Sequence, residues 1–330
     1  MPGMQAVSGR FAVQIRPIAV PTGPGALEPT PLTAPRPSPT STAAFTAEPY
    51  MTSPIGRRDF LSSLGAGIGA IAVSGSNLVK LSPPQPIGLQ LYTVRDLMDR
   101  DVEYTLRQVA DIGYLEVEFA GLFGKDPRKV RSWLKKYGLT SPSSHIALDR
   151  LTASLSSVVD EVQALGNDYV VVPSVDAALT RDVDGWRRVA ATFNRVGESL
   201  QRVGMRFAYH NHDAEFKPLP GGEIPYDVLL AGTDPRFVKF EMDLYWITKG
   251  GHDPLAYFAK WPGRFPFVHV KDMAGNGGMT NVGQGHIDWT KIFAKRREAG
   301  IEHYLVENDD TKSPIEDIRV SYAYMSRLGL

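Results

Sequence analysis

The chain has 330 residues, with 36 Lys and Arg against 36 Asp and Glu and no cysteine. Zero net charge removes any general attraction to nucleic acid or to an anionic membrane surface. Without thiols there are no disulfides and no thiolate metal sites, so His, Asp and Glu are the only strong ligands the chain can offer a cation.

Residues 1–56 are rich in Pro, Ala, Thr and Ser and show neither a helix nor a strand period, so a disordered extension is expected there. Arg57 and Arg58 then open a short run of small and apolar residues that reads, over 57–76, as a twin-arginine export signal. That run is too short and too rich in glycine to span a bilayer, and each of Gly65, Gly67 and Gly69 costs a helix ~1 kcal/mol. Such signals normally open a chain, which makes Met51 a second candidate start. The expectation is an exported protein that the twin-arginine machinery carries already folded, with residues 77–85 as a linker.

From Pro86 onward short apolar runs alternate with longer amphipathic ones. The predicted strands are IGLQLYTV (87–94), YLEVEFA (114–120), TSPSSHI (140–146), YVVVPS (169–174), RFAYHNH (206–212), FVKFEMD (237–243), FPFVHVK (265–271) and HYLVEN (303–308). The helical stretches that follow the first of them, among them VEYTLRQVADIG, DPRKVRSWLKKYG and LTASLSSVVDEVQALG, each stop at a glycine, the residue that most readily closes a helix. Strand–helix repeats over 86–330 match a (β/α)8 TIM barrel, usually ~250 residues long. A doubly wound dinucleotide-binding sheet is disfavoured, because IGLQLYTVRD carries no glycine-rich phosphate loop after the first strand.

In such a barrel the active site lies at the C-terminal strand ends, and here those ends are ionisable. They supply Glu116 and Glu118, His145, His210 and His212, Glu241 and Asp243, His269 and Lys271, and Glu307 and Asp309. In MRFAYHNHDAEF the two-residue period of a strand puts His210 and His212 on one face with Ala208, opposite Phe207 and Tyr209. Any one of these residues has an ordinary role as a helix cap or a salt-bridge partner. All of them converging on one barrel mouth need a cation, a substrate or a set of pairings to compensate them.

GLQLYTVRD, VEFAG, YHNHDAEF, FEMDLYW, VHVKDM, VGQGHIDW and LVENDD, in that order, resemble the xylose isomerase-like barrel superfamily of sugar isomerases and epimerases, inosose dehydratase and endonuclease IV. The resemblance implies one divalent ion, Mn, Co, Mg or Zn, held by His210, Asp243, His269 and Glu307, with imidazole at 210 where many relatives have glutamate. It further implies proton abstraction next to a carbonyl of a small sugar-like substrate. Glu307 is then the first candidate base, His210, His212 or Lys271 the second catalytic group, and Glu118, His145 and Trp246 the substrate contacts. A metal-dependent sugar isomerase or epimerase is the leading expectation. The alternative is a lyase or hydrolase of 3-keto-glycosides, or a keto-cyclitol dehydratase, using the same site, and the histidine at 210 favours it. DNA cleavage is disfavoured by the neutral charge. The glycines of NVGQGHIDW are expected to lead into a helix near Asp288, as a cap and secondly as a lid.

Overall fold

The computed structural model describes residues 85–329. The expected extension and twin-arginine segment lie outside the described residues, as does all but the last residue of the expected linker. None of the described helices is long and apolar enough to cross a membrane.

Eight apolar runs form parallel strands: β1 Ile87–Gln90, β2 Glu116–Glu118, β3 Ser143–His145, β4 Tyr169–Val172, β5 Arg206–His210, β6 Val238–Asp243, β7 Phe267–Val270 and β8 His303–Val306. They pair in the order β2-β1-β8-β7-β6-β5-β4-β3. The remaining seam, between β2 and β3, is held by the isolated bridges Glu116 to Thr140 and Phe119 to Ser144, so the barrel is nearly closed. This is the expected (β/α)8 architecture. Most strands are shorter at their C-terminal ends than their apolar runs. After β1, for example, the Gln90 side chain accepts a hydrogen bond from Tyr92 N at 3.0 Å and turns Leu91–Val94 into a 3-10 helix.

The principal helices are α1 Val102–Ile112, α2 Pro127–Tyr137, α3 Leu155–Leu165, α4 Val183–Arg202, α5 Pro225–Gly232, α6 Pro254–Lys260, α7 Trp289–Ala294 and α8 Pro314–Met325. Asp101, Asp126, Asp182, Asp253 and Asp288 cap α1, α2, α4, α6 and α7 by accepting a backbone N–H of the first turn. Gly138 and Gly166 close α2 and α3 in the left-handed conformation. The stretch from Leu151 is not one helix, because it breaks at Ser154 between Leu148–Ala153 and α3.

Period-two alternation sorts the side chains. Phe207 and Tyr209 pack outward in the main core between strands and helices, while Ala208 points into the barrel. There Tyr169, Val171, Ala208, Phe267 and Leu305 form a separate apolar plug. Fully burying a large apolar side chain stabilises by ~1.5–3 kcal/mol, and the plug gives the polar mouth a dry floor. Gly88 faces Leu305 and Glu116 across the neighbouring strands. A Cβ there would lie 2.5 Å from Leu305 Cδ2 and 3.2 Å from Glu116 Cβ. Gly88→Val should therefore cost about 1–3 kcal/mol through overpacking, read as a lower midpoint in urea unfolding; an unchanged midpoint would mean that the plug is not packed against β1.

Candidate active site

Parallel register places Gln90 opposite Glu118, His210 opposite Glu241 and Asp243 opposite His269. Above the plug these side chains form two polar layers. In the inner layer Glu118 Oε2 accepts from Gln90 Nε2 at 2.7 Å and lies 3.1 Å from His145 Nε2 and 2.9 Å from His269 Nε2. Glu241 Oε2 lies 2.9 Å from His145 Nε2, 3.1 Å from His210 Nδ1 and 3.1 Å from His269 Nε2. In the outer layer His269 Nδ1 lies 2.7 Å from Glu307 Oε2 and 4.0 Å from Asp243 Oδ2, and His210 Nε2 lies 3.9 Å from that same oxygen. Lys271 Nζ is the hub of this layer, 3.0 Å from Asp243, 2.8 Å from Glu307 and 2.9 Å from Asp309.

His210 and His269 thus each point one nitrogen at an inner carboxylate and the other at the outer layer. A metal-binding imidazole commonly donates its far N–H to a carboxylate in this way, which orients the ring and leaves the near nitrogen free to coordinate. His210, Asp243, His269 and Glu307 each offer one donor atom, all within 4.8 Å of one another, and all four residues are buried. Lys271 approaches Asp243 Oδ2 without hydrogen-bond geometry, so this buried oxygen has no hydrogen-bond partner. The set fits a divalent cation on these grounds. His145, His210, Glu241 and His269 form a second group that meets the same distance limit.

The electrostatics are those of a site with surplus negative charge. Glu118, Glu241, Asp243 and Glu307 are buried and Asp309 is partly buried, with Lys271 the ammonium among them. Burial opposes the charged form of His269, yet the carboxylates of Glu241 and Glu307 outweigh it and hold the ring well above its ordinary pKa. Burial also disfavours a charged His145, but Glu118 and Glu241 raise it to about 10. His210 goes the other way, because burial and the neighbouring His269 hold it well below its usual value. Burial and Lys271 push His212 down to about 4. Glu307 is depressed despite burial, chiefly by Lys271 and His269, while burial raises Asp243.

A cavity of about 440 Å³ opens over these layers, and His145, His210, His212, Lys271, Glu307 and Asp309 face it. Asp243 and His269 lie buried beneath that floor. His212 reaches the cavity from a loop and not from the expected strand. β5 ends at His210, where Glu215 accepts from His212 N at 2.9 Å and from the Tyr209 hydroxyl at 2.6 Å and so turns the chain. Trp246 is not in the cavity wall: its ring packs 5.5 Å from His212 and is approached by Lys249 Nζ at 4.9 Å. The aromatic that does face the cavity is Tyr92, 42% exposed and missed in the sequence because it lay inside a predicted strand. Glu118 is fully buried and holds side chains of its neighbours, whereas His145 does face the cavity. Glu116 shares the inward face of β2 but sits a layer deeper, paired with His303 at 2.9 Å.

The glycine loop before α7 is pinned. Gly283, Gly285 and Ile287 donate their N–H groups to the Asp272 carboxylate, as does the Trp289 indole. A Cβ on Gly285 would lie 2.1 Å from Asp272 Oδ1. Asp288 caps α7 as expected, and none of these loop residues lines the cavity. Asp272 is thereby committed to the loop, and Lys271 turns to the other carboxylates.

A family model described as "Xylose isomerase-like TIM barrel" matches residues 106–326. Among curated proteins, an inosose dehydratase of Lacticaseibacillus casei is 27% identical over 273 residues, 69% of this chain and 90% of that protein. Among solved structures, a sugar phosphate isomerase/epimerase from Parabacteroides distasonis superposes with a TM-score of 0.68 at 25% identity, covering 78% of this chain and all (100%) of the other. IOLI protein with a bound zinc atom shares the fold at 13% identity and a TM-score of 0.61, over 74% of this chain and 98% of that one.

Removing the hub ammonium leaves buried like charges facing each other. In metal-free protein Lys271→Met should lose about 3–5 kcal/mol, the cost of breaking a buried ion pair from one side, measured by urea unfolding in the presence of a chelator. Stability equal to the parent would show that the three carboxylates do not depend on this lysine.

Proposed function

Since the chain belongs to the xylose isomerase-like TIM barrel family, we propose that its mouth holds one divalent metal ion and catalyses a carbon–oxygen lyase reaction on a keto-sugar or keto-cyclitol. A proton leaves the carbon next to the carbonyl, and the oxygen substituent one carbon further is expelled. This puts the dehydratase alternative ahead of the isomerase expected first. The observation that carries it is His210: position 210 holds a neutral imidazole hydrogen-bonded to Glu241, so the site lacks a second carboxylate base there for symmetric proton transfer. The similarity to an inosose dehydratase supports the same order. The isomerase or epimerase reading is favoured by the Parabacteroides distasonis structure, and retention of the substrate's oxygen substituent would select it.

His210, Asp243, His269 and Glu307 would hold the metal. Bound there, a divalent cation draws electron density from a carbonyl oxygen and makes the adjacent C–H acidic. Glu241 and Glu118 accept the far N–H groups of His210 and His269 and keep their coordinating nitrogens turned outward. Lys271 offsets part of the charge of Asp243, Glu307 and Asp309 and sets an ammonium beside the cavity, where negative charge would develop on the substrate. Glu307 Oε2 is already shared by His269 and Lys271, so the proton acceptor is reassigned from Glu307 to His212. Among the described residues no hydrogen bond engages the His212 ring, and His212 lines the cavity. His145, held between Glu118 and Glu241, presents its ring to the substrate's hydroxyls. The reading keeps the export expectation for residues 57–76, so that the barrel would cross the membrane folded and loaded with metal.

Metal analysis of the purified chain should give close to one divalent ion, and chelation should abolish dehydration of an inosose, followed by enone absorbance. Asp243→Ala should lose the metal. Full metal content and full turnover in both Asp243→Ala and His269→Ala would sink the proposal. His212→Gln should keep the metal yet lose about 10²–10⁴-fold in kcat, the usual range for a general base. Glu241→Gln should bind metal about 10–100-fold more weakly, measured by competition with a chromogenic chelator.

A further inference from the structure

A second cavity, of about 530 Å³, lies beside the reaction cavity. The two share Ala147, just past the end of β3, and at the end of β4 Pro173 faces the first cavity while the adjacent Ser174 faces the second. One small side chain, Ala147, is thus common to both walls, and the two cavities are adjacent at the barrel mouth. Their linings differ in kind. The reaction cavity is walled by imidazoles, carboxylates, Lys271 and the Tyr92 ring, with no aliphatic side chain larger than alanine or proline. The second presents Leu148, Leu179 and Val189 beside Ser174 and the charged side chains of Asp149, Asp176 and Arg188, while the Thr152 and Thr192 hydroxyls in its wall donate to backbone carbonyls of their own helices. Apolar side chains beside polar ones match a ring that is apolar on its faces and carries polar substituents at its edge.

This wall is held in place by the chain itself. Asp176 accepts from Ala178 N at 2.8 Å and fixes the short turn Ala177–Leu179, and Asp182 accepts from Gly185 N at 2.7 Å at the start of α4. Between these two anchors Leu179 is kept 52% exposed and lines the cavity.

We propose that the second cavity is a leaving-group subsite, and that the substrate has two parts: a keto-sugar ring in the reaction cavity joined through oxygen to a second ring seated against Leu179 and Ser174. The inference rests on the lyase reading above and selects a keto-glycoside over a free keto-cyclitol. The C–H bond next to the carbonyl breaks and its electron pair forms a C=C bond. The C–O bond to the second ring breaks in turn, and that oxygen departs with a proton as an alcohol or phenol. No oxidant or reductant is consumed.

The test uses the metal-loaded full chain, Ser174→Trp and Leu179→Asp, both substitutions at exposed positions, with metal content as the check on folding. Binding of unreactive 4-nitrophenyl β-glucoside is measured by calorimetry, and turnover is compared for 4-nitrophenyl 3-keto-β-glucoside and an inosose. The parent should bind the glucoside and prefer the keto-glucoside at least tenfold in kcat/KM. Each variant should raise the glucoside Kd about tenfold and lower that preference about tenfold, mainly through KM. No binding by the parent, or equal binding by parent and variants, overturns the subsite even if the inosose is dehydrated. Binding that depends on Ser174 and Leu179, with neither keto compound consumed, upholds the subsite and overturns the lyase reading instead.

Discussion

Two imidazoles suspended between two layers of carboxylate organise this molecule. His269 touches Glu118 and Glu241 on one side and Glu307 on the other, and His210 likewise stands between Glu241 and Asp243. Buried carboxylates at these separations repel one another unless positive charge is interposed. Lys271 and protonated imidazoles supply part of it, and the proposed divalent ion, held by His210, Asp243, His269 and Glu307, would supply more. Coordination by His269 would require its ring to give up a proton, so metal binding and proton release would be coupled.

The barrel makes such a concentration of charge tolerable. Its interior below the mouth is filled by Tyr169, Val171, Ala208, Phe267 and Leu305, so the carboxylates rest on a dry floor and meet water only from above. The charged residues come from several strands, with Glu118 on β2, His145 on β3, His210 on β5, Glu241 and Asp243 on β6 and His269 on β7, and parallel register sets their heights. Asp243 and His269 are neighbours across β6 and β7, as are His210 and Glu241 across β5 and β6. Loops then finish the work: Glu215 turns His212 toward the cavity, and Asp272 gathers the glycine loop away from it.

On the proposed reading, chemistry and leaving-group recognition fall to different strands. The β5 to β8 side carries the proposed ligands and proton acceptor, while the second cavity is built on the β3 and β4 ends and the start of α4. A division of this kind would allow one metal site to serve substrates that differ only in what is attached to the reacting ring.

Much was legible in the residues alone. Eight apolar runs alternating with amphipathic ones, with no glycine-rich loop after the first, point to a parallel barrel, and a barrel of that kind gathers its strand ends at one mouth, where His210, Asp243, His269 and Glu307 meet. Those consequences follow from local periodicity and from chain connectivity, both of which are properties of sequence. Depth and direction are not. Glu241 reads as one more acidic strand residue until register places it under three imidazoles, and Tyr92 reads as strand until the Gln90 cap turns it into the cavity wall. Trp246 looks like a sugar platform until packing sets it behind His212. Which nitrogen of a ring faces which carboxylate, and which aromatic faces the cavity, depend on contacts between residues far apart in the chain, and only the folded barrel brings those residues within reach of one another.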